Sequence, residues 1–172
     1  MEYQVDFKAE GRYFSYYNYY YRDNKLLFTF KYQYIYFSPF LCNCIFYDSA
    51  GNKIFTFRYI SFLIGMKLKL LTQSLPHPIT IERKNIRSYS MKVMGKEISL
   101  KSTYLPYFVR KYGTFYVDGK SYGSAVRKKR SIGDLIMGSS TYVFDFKEEE
   151  EEDSELNYYC MLLFTMHAYV LW

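Results

Sequence analysis

Four adjacent bases, Arg127, Lys128, Lys129 and Arg130, are the sharpest chemistry-bearing cluster in the sequence. Four neighbouring cations cannot all be neutralised inside a fold, so they face water or a phosphate-bearing surface. Near an anionic membrane each contributes about 1 kcal/mol. They form the candidate site for an anionic headgroup; the competing reading is a solvated loop docked on the acidic run 148–153. Catalysis has thinner support. General acid–base chemistry draws on a histidine or on tuned carboxylates, and the two histidines are His77, flanked by prolines, and His167, in an apolar terminal stretch. The first reads as a surface-loop residue, the second as a core imidazole with one hydrogen-bond partner. Asp23, Asp48 and Asp118 lie in turn sequences, where backbone hydrogen bonding accounts for them. No nucleophile elbow, phosphate-binding glycine loop or dinucleotide fingerprint occurs. The chain reads as non-enzymatic, with no catalytic residue, metal or cofactor expected.

Cys42, Cys44 and Cys160 are an odd set without framework spacing, and the start MEYQVDFKAE is no signal peptide. Both features fit a reducing, cytoplasmic setting. Cys42 and Cys44 would share one strand face. Two further metal ligands are missing, so they read as small buried hydrophobes. Net charge is +6, yet residues 145–155 hold eight of the 17 acids and one of the 23 bases, which leaves +13 on the remainder. Such a body attracts phosphate-rich partners, membrane surfaces and its own acidic segment.

The elements that must position these groups read as β. Aromatics make up 22% of the chain, with 22 Tyr and 15 Phe, a composition that excludes disorder and favours pleated faces. Residues 12–37 read as a hairpin turning at 22–25, with Phe28, Phe30, Tyr32, Tyr34 and Tyr36 on one face. Residues 43–47 and 54–59 form a second hairpin around Asp48-Ser49-Ala50-Gly51-Asn52. Further strands are expected at 61–71, 79–83, 88–94, 97–102, 115–117, 120–122 and 141–146, about ten to twelve in all. The end differs in kind. Residues 154–172, SELNYYCMLLFTMHAYVLW, are apolar on nearly every side. A helix of that kind must be buried in protein or membrane. Leu156 to Trp172 would span about 25 Å, short of a bilayer core of ~30 Å, but suited to the inside of a closed barrel.

This layout resembles the tubby C-terminal-like domains, which include the plant LURP-one-related proteins and the phospholipid scramblases, and is most similar to their small bacterial members. The resemblance rests on the hairpin at Asp48-Ser49-Ala50-Gly51-Asn52-Lys53, the later Phe115-Tyr116-Val117-Asp118-Gly119-Lys120 hairpin, and the greasy terminal helix. It implies a closed antiparallel β-barrel of about twelve strands enclosing a hydrophobic C-terminal α-helix. One domain over 1–172 is expected, with an acidic loop at 148–153 and the helix at 154–172. It also implies phosphoinositide-type headgroup binding by barrel cations.

The leading functional expectation is therefore a binding module, peripheral to membranes, that takes an anionic phospholipid or a protein partner. A tail-anchored protein with 156–172 in the bilayer is an alternative, opposed by the short span and acidic flank. Scramblase-like lipid transport is implied by kinship alone. Single-stranded nucleic-acid binding would use basic charge with exposed aromatics, for which the Tyr run 13–21 could serve. It is disfavoured because no RNA-recognition or cold-shock signature is present.

Overall fold

The computed structural model describes residues 2–9, 15–35, 38–62, 65–75, 77–85, 88–103, 111–128, 140–147 and 152–170. The strands are β1 (Tyr3–Ala9), β2 (Ser15–Arg22), β3 (Lys25–Ile35), β4 (Ser38–Asp48), β5 (Lys53–Phe62) and β6 (Gly65–Gln73). They continue with β7 (Thr80–Asn85), β8 (Ser88–Val93), β9 (Lys96–Ser102), β10 (Lys111–Val117), β11 (Lys120–Arg127) and β12 (Ser140–Phe146). One helix, α1 (Glu152–Val170), follows. It starts two residues earlier than expected, because Glu152 and Asp153 suit the positive end of the helix dipole. The rest of the acidic run, 148–151, lies outside the described residues.

The expected mainly antiparallel β architecture with one terminal helix is present, but the closed barrel is corrected. The strands stand in one linear order that ends at β6 on one side and β7 on the other. A barrel needs those two ends to exchange ladder hydrogen bonds, and no β6–β7 pairing exists among the described residues. Alternating apolar and polar side chains mark a half-buried strand in an open sheet as much as in a closed one, so periodicity could not decide closure.

The chain divides into two compact units. Unit one comprises Met1–Pro76 with Arg130–Thr141, and unit two His77–Lys129 with Tyr142–Trp172. In unit one, β1 to β6 form an antiparallel meander. Its buried face holds Tyr20, Phe28, Phe30, Phe46, Phe55 and Phe57, none more than 1% exposed. Tyr20 stacks on Phe28 at 4.1 Å, and Phe46 meets Phe30 at 4.8 Å and Phe55 at 5.6 Å. Ring pairs of this kind add about 0.5–1.5 kcal/mol each beyond area burial. Cys42 and Cys44 lie on the same face with no exposure, as their spacing suggests.

Unit two repeats part of unit one. In both, an aspartate in a two-residue hairpin turn locks the start of a neighbouring strand. Asp23 Oδ1 accepts the Glu2 amide at 2.8 Å and the Asp23 amide donates to the Glu2 carbonyl at 2.9 Å. Asp118 and Glu97 make the same two bonds at the same two lengths. Positive φ at Asp23 and Asn24, and again at Asp118 and Gly119, is the backbone such hairpin turns require. The match continues along the ladders: Tyr3↔Arg22, Val5↔Tyr20 and Tyr20↔Phe28 correspond to Ile98↔Val117, Leu100↔Phe115 and Phe115↔Gly123, always 95 positions apart. Even a bulge is shared, at Leu27 in β3 and at Tyr122 in β11. Thus β1-β2-β3 and β9-β10-β11 are one three-stranded design used twice.

They part at a single point. Tyr17 pairs regularly with Lys31, whereas its counterpart Tyr112 is an extra residue, skipped between Lys111↔Val126 and Gly113↔Ala125. A bulge puts two successive side chains on the same face. Tyr112 therefore turns inward with Gly113, while Tyr17 stays on the outer face. Glycine is required beside both unit-two bulges. A Cβ on Gly113 would lie 2.9 Å from the Lys101 carbonyl oxygen, and one on Gly123 2.6 Å from the Asp145 carbonyl oxygen.

Candidate functional site

The bulges of unit two serve the helix. Tyr112 reaches His167, with Oη 2.8 Å from Nδ1, and Tyr122 donates to Asn157 Oδ1 at 2.7 Å. Both helix residues are fully buried, so their polar atoms need such partners. The apolar part of α1 packs on β10 and on β12. Phe164 meets Tyr112 at 4.8 Å, Phe144 at 5.0 Å and Tyr142 at 5.2 Å. Thr165 returns its hydroxyl to the Met161 carbonyl at 2.9 Å, the local bond a helix interior offers a threonine. His167 is thus the core imidazole its surroundings imply. His77 is partly exposed, with Nε2 3.4 Å from Glu155 Oε1.

The remaining titratable groups hold structure. The Asp48 carboxylate accepts the Asn52 side-chain amide at 2.9 Å and the amides of Asn52 and Ala50 at 2.7 and 3.0 Å. Those bonds, the Asn52 side chain first, hold it below the ordinary carboxylate range. All three cysteines are free thiols. Burial pushes Cys160 far up and Cys44 well up. Cys42 is lowered, first by its hydrogen bond with Cys44 and, against the upward push of burial, by one with Tyr32. Among the described residues there is no cluster of three metal-ligating side chains, and no helix is long and apolar enough to cross a membrane.

Of the predicted basic site, Arg127 ends β11 opposite Tyr142, on the ladder face of buried Ala125, and is half-buried. Lys128 follows it and is exposed. Lys129 and Arg130 lie outside the described residues. The two described members thus differ, one half-buried at the strand end and one exposed.

A second group is assembled by strand parity on the outer face of unit one. Because Asn18 and Tyr20 point inward, Tyr17, Tyr19 and Tyr21 point outward, each half-buried. The next strands add Lys31 from β3, then Tyr47 from β4, paired through Thr29 with Tyr19, and Arg58 from β5. Tyr17 and Tyr19 lie with centroids 6.3 Å apart and planes 17° from parallel. That spacing is close to the climb of two residues along a strand, about 6.8 Å. Lys31 Nζ sits 5.6 Å from the Tyr17 ring, within cation–π range. Arg58 Nε donates to Asn43 Oδ1 at 3.1 Å. One acid, Asp6, borders the group opposite Tyr19 and accepts the Gln4 side-chain amide at 3.0 Å.

No family model, curated protein or solved structure matches this chain. Sequence reasoning noted the tyrosine run but not its division between faces. The signal was the two-residue period of a strand, which puts odd and even positions on opposite faces; only the structure shows that Asn18 and Tyr20 take the buried one.

Proposed function

We propose that the protein is a non-enzymatic binding module for phosphate-bearing anionic ligands. The charge distribution carries this reading: a net +13 outside residues 145–155, with Lys92, Lys101, Lys120 and Lys128 of unit two exposed, and Lys25 and Lys53 of unit one as well. A surface field of one sign concentrates polyanions and speeds their association. The two histidines are engaged, one with Tyr112 and the other with Glu155. The cluster Arg127, Lys128, Lys129 and Arg130 adds to this field, and an anionic headgroup is among the ligands it suits.

The test is polyanion binding across a salt series. Heparin resin, vesicles containing phosphatidylserine and oligonucleotides should each be retained at about 50 mM salt and released well before the salt reaches a few hundred millimolar, since counterion release makes such binding steeply salt-dependent. Failure to hold any of the three at low salt overturns the proposal.

A further inference from the structure

We infer that the outer face of β2–β5 in unit one is a stacking platform for single-stranded nucleic acid. The inference rests on the anion-binding reading and names its site and ligand. Three observations combine. Tyr17, Tyr19, Tyr21 and Tyr47 are half-buried rings on one outer face, where base stacking needs a π-surface. Lys31 stands among them, and Arg58 lies beyond them on the Asn43–Gln33 rung, so a phosphate backbone passing over the rings meets one cation and runs on toward a second.

The third observation comes from the repeated design, which separates what the fold needs from what this face adds. At the positions of Tyr19, Lys31 and Tyr47, unit two carries Thr114, Val126 and Asp145 on the same ladders. The counterpart of Tyr17, Tyr112, is turned inward to the helix. Only Tyr21 has an equivalent ring in place, Tyr116. The same three-stranded scaffold forms without the aromatics, so strand pairing does not account for them. An anionic membrane would engage lysines and arginines without asking for four rings on one face. A duplex would present its bases already stacked. Unpaired bases use both the rings and the cations.

The experiment is fluorescence anisotropy of a labelled oligothymidylate of about ten nucleotides, within the site sizes of single-strand binders, titrated with the full chain. Tyr19→Thr and Tyr17→Ala are each expected to weaken binding roughly 5- to 160-fold, the range that base–aromatic stacking gives, with the salt slope unchanged. Tyr19→Phe keeps the ring and should bind as the parent does, which separates stacking from any loss of fold. Lys31→Gln and Arg58→Gln should each lower the salt slope by about 0.7. A duplex competitor of equal charge should displace the strand poorly, and phosphatidylserine vesicles should bind the tyrosine variants and the parent alike.

Oligonucleotide binding that ignores the tyrosine substitutions overturns this inference and leaves the anion-binding module standing. So does binding to vesicles alone. Binding to no polyanion at low salt overturns both.

Discussion

The bond between Tyr112 and His167 offers a direct measure of what the bulged tyrosines do. Tyr112 is 4% exposed and His167 is not exposed at all, and their bond is 2.8 Å long. Tyr112→Phe keeps the ring that meets Phe164 and removes only the hydroxyl, leaving the imidazole nitrogen without it. A buried polar group deprived of its partner costs about 1–3 kcal/mol. For a chain of this length that is a fall in the thermal midpoint of roughly 2–12 °C. His167→Leu strands the hydroxyl in turn and should cost a similar amount, together with the ring-edge contact to Tyr89 at 5.1 Å. The double variant removes both polar partners and should lose much less than the sum. Urea unfolding of the four proteins, followed by circular dichroism, closes the cycle, with an expected coupling of about 1–3 kcal/mol. Additivity to within about 0.5 kcal/mol would refute the claim that the bulge exists to satisfy the helix.

Three further outcomes are expected. Gly123→Ala puts a methyl 2.6 Å from the Asp145 carbonyl oxygen and should destabilise by about 1–3 kcal/mol, the usual cost of overpacking; a two-state thermal melt reads it. Cys44 and Cys160, buried and raised, should react with an aromatic disulfide reagent only as fast as the protein unfolds. Labelling at thiol-limited rates in native buffer would contradict their placement. The lowered Asp48 carboxyl contributes stability that is present above the ordinary carboxylate range and is lost as pH falls through its lowered value. The amide resonances of Ala50 and Asn52 should therefore titrate with a midpoint below about 3.9, and Asn52→Ala should move that midpoint up.

Local chemistry was the legible part of this fold. The turns at Asp23, Asp48 and Asp118 are written in residues that tolerate or cap unusual backbone, and each forms where it was expected. The terminal helix announced its own burial by lacking a polar face. Strand β1 was not anticipated, because YQVDFKA is short and its alternation Tyr3, Val5, Phe7 is carried by only three apolar residues. Closure failed for a different reason: whether two end strands pair depends on edges far apart in sequence, and the alternation within a strand is silent about them. The bulges left a faint trace, since glycine inside a strand signals a close backbone approach, and both Tyr112 and Tyr122 precede one. The repeat is hidden in composition. Glu2, Tyr17, Tyr21, Asp23 and Lys25 recur as Glu97, Tyr112, Tyr116, Asp118 and Lys120, too sparse a set to stand out among so many tyrosines. For the basic cluster, the sequence showed four like charges in a row, but the side of the sheet that Arg127 takes is set by its partner Tyr142 in β12.

Equal registers in the two three-stranded modules make their side chains interchangeable in a practical sense. Away from the Tyr112 bulge, a residue moved from one module to the position 95 places away arrives on the corresponding rung. A ring installed at Thr114 would therefore stand beside Tyr116 as Tyr19 stands beside Tyr21, on a scaffold already shaped for it.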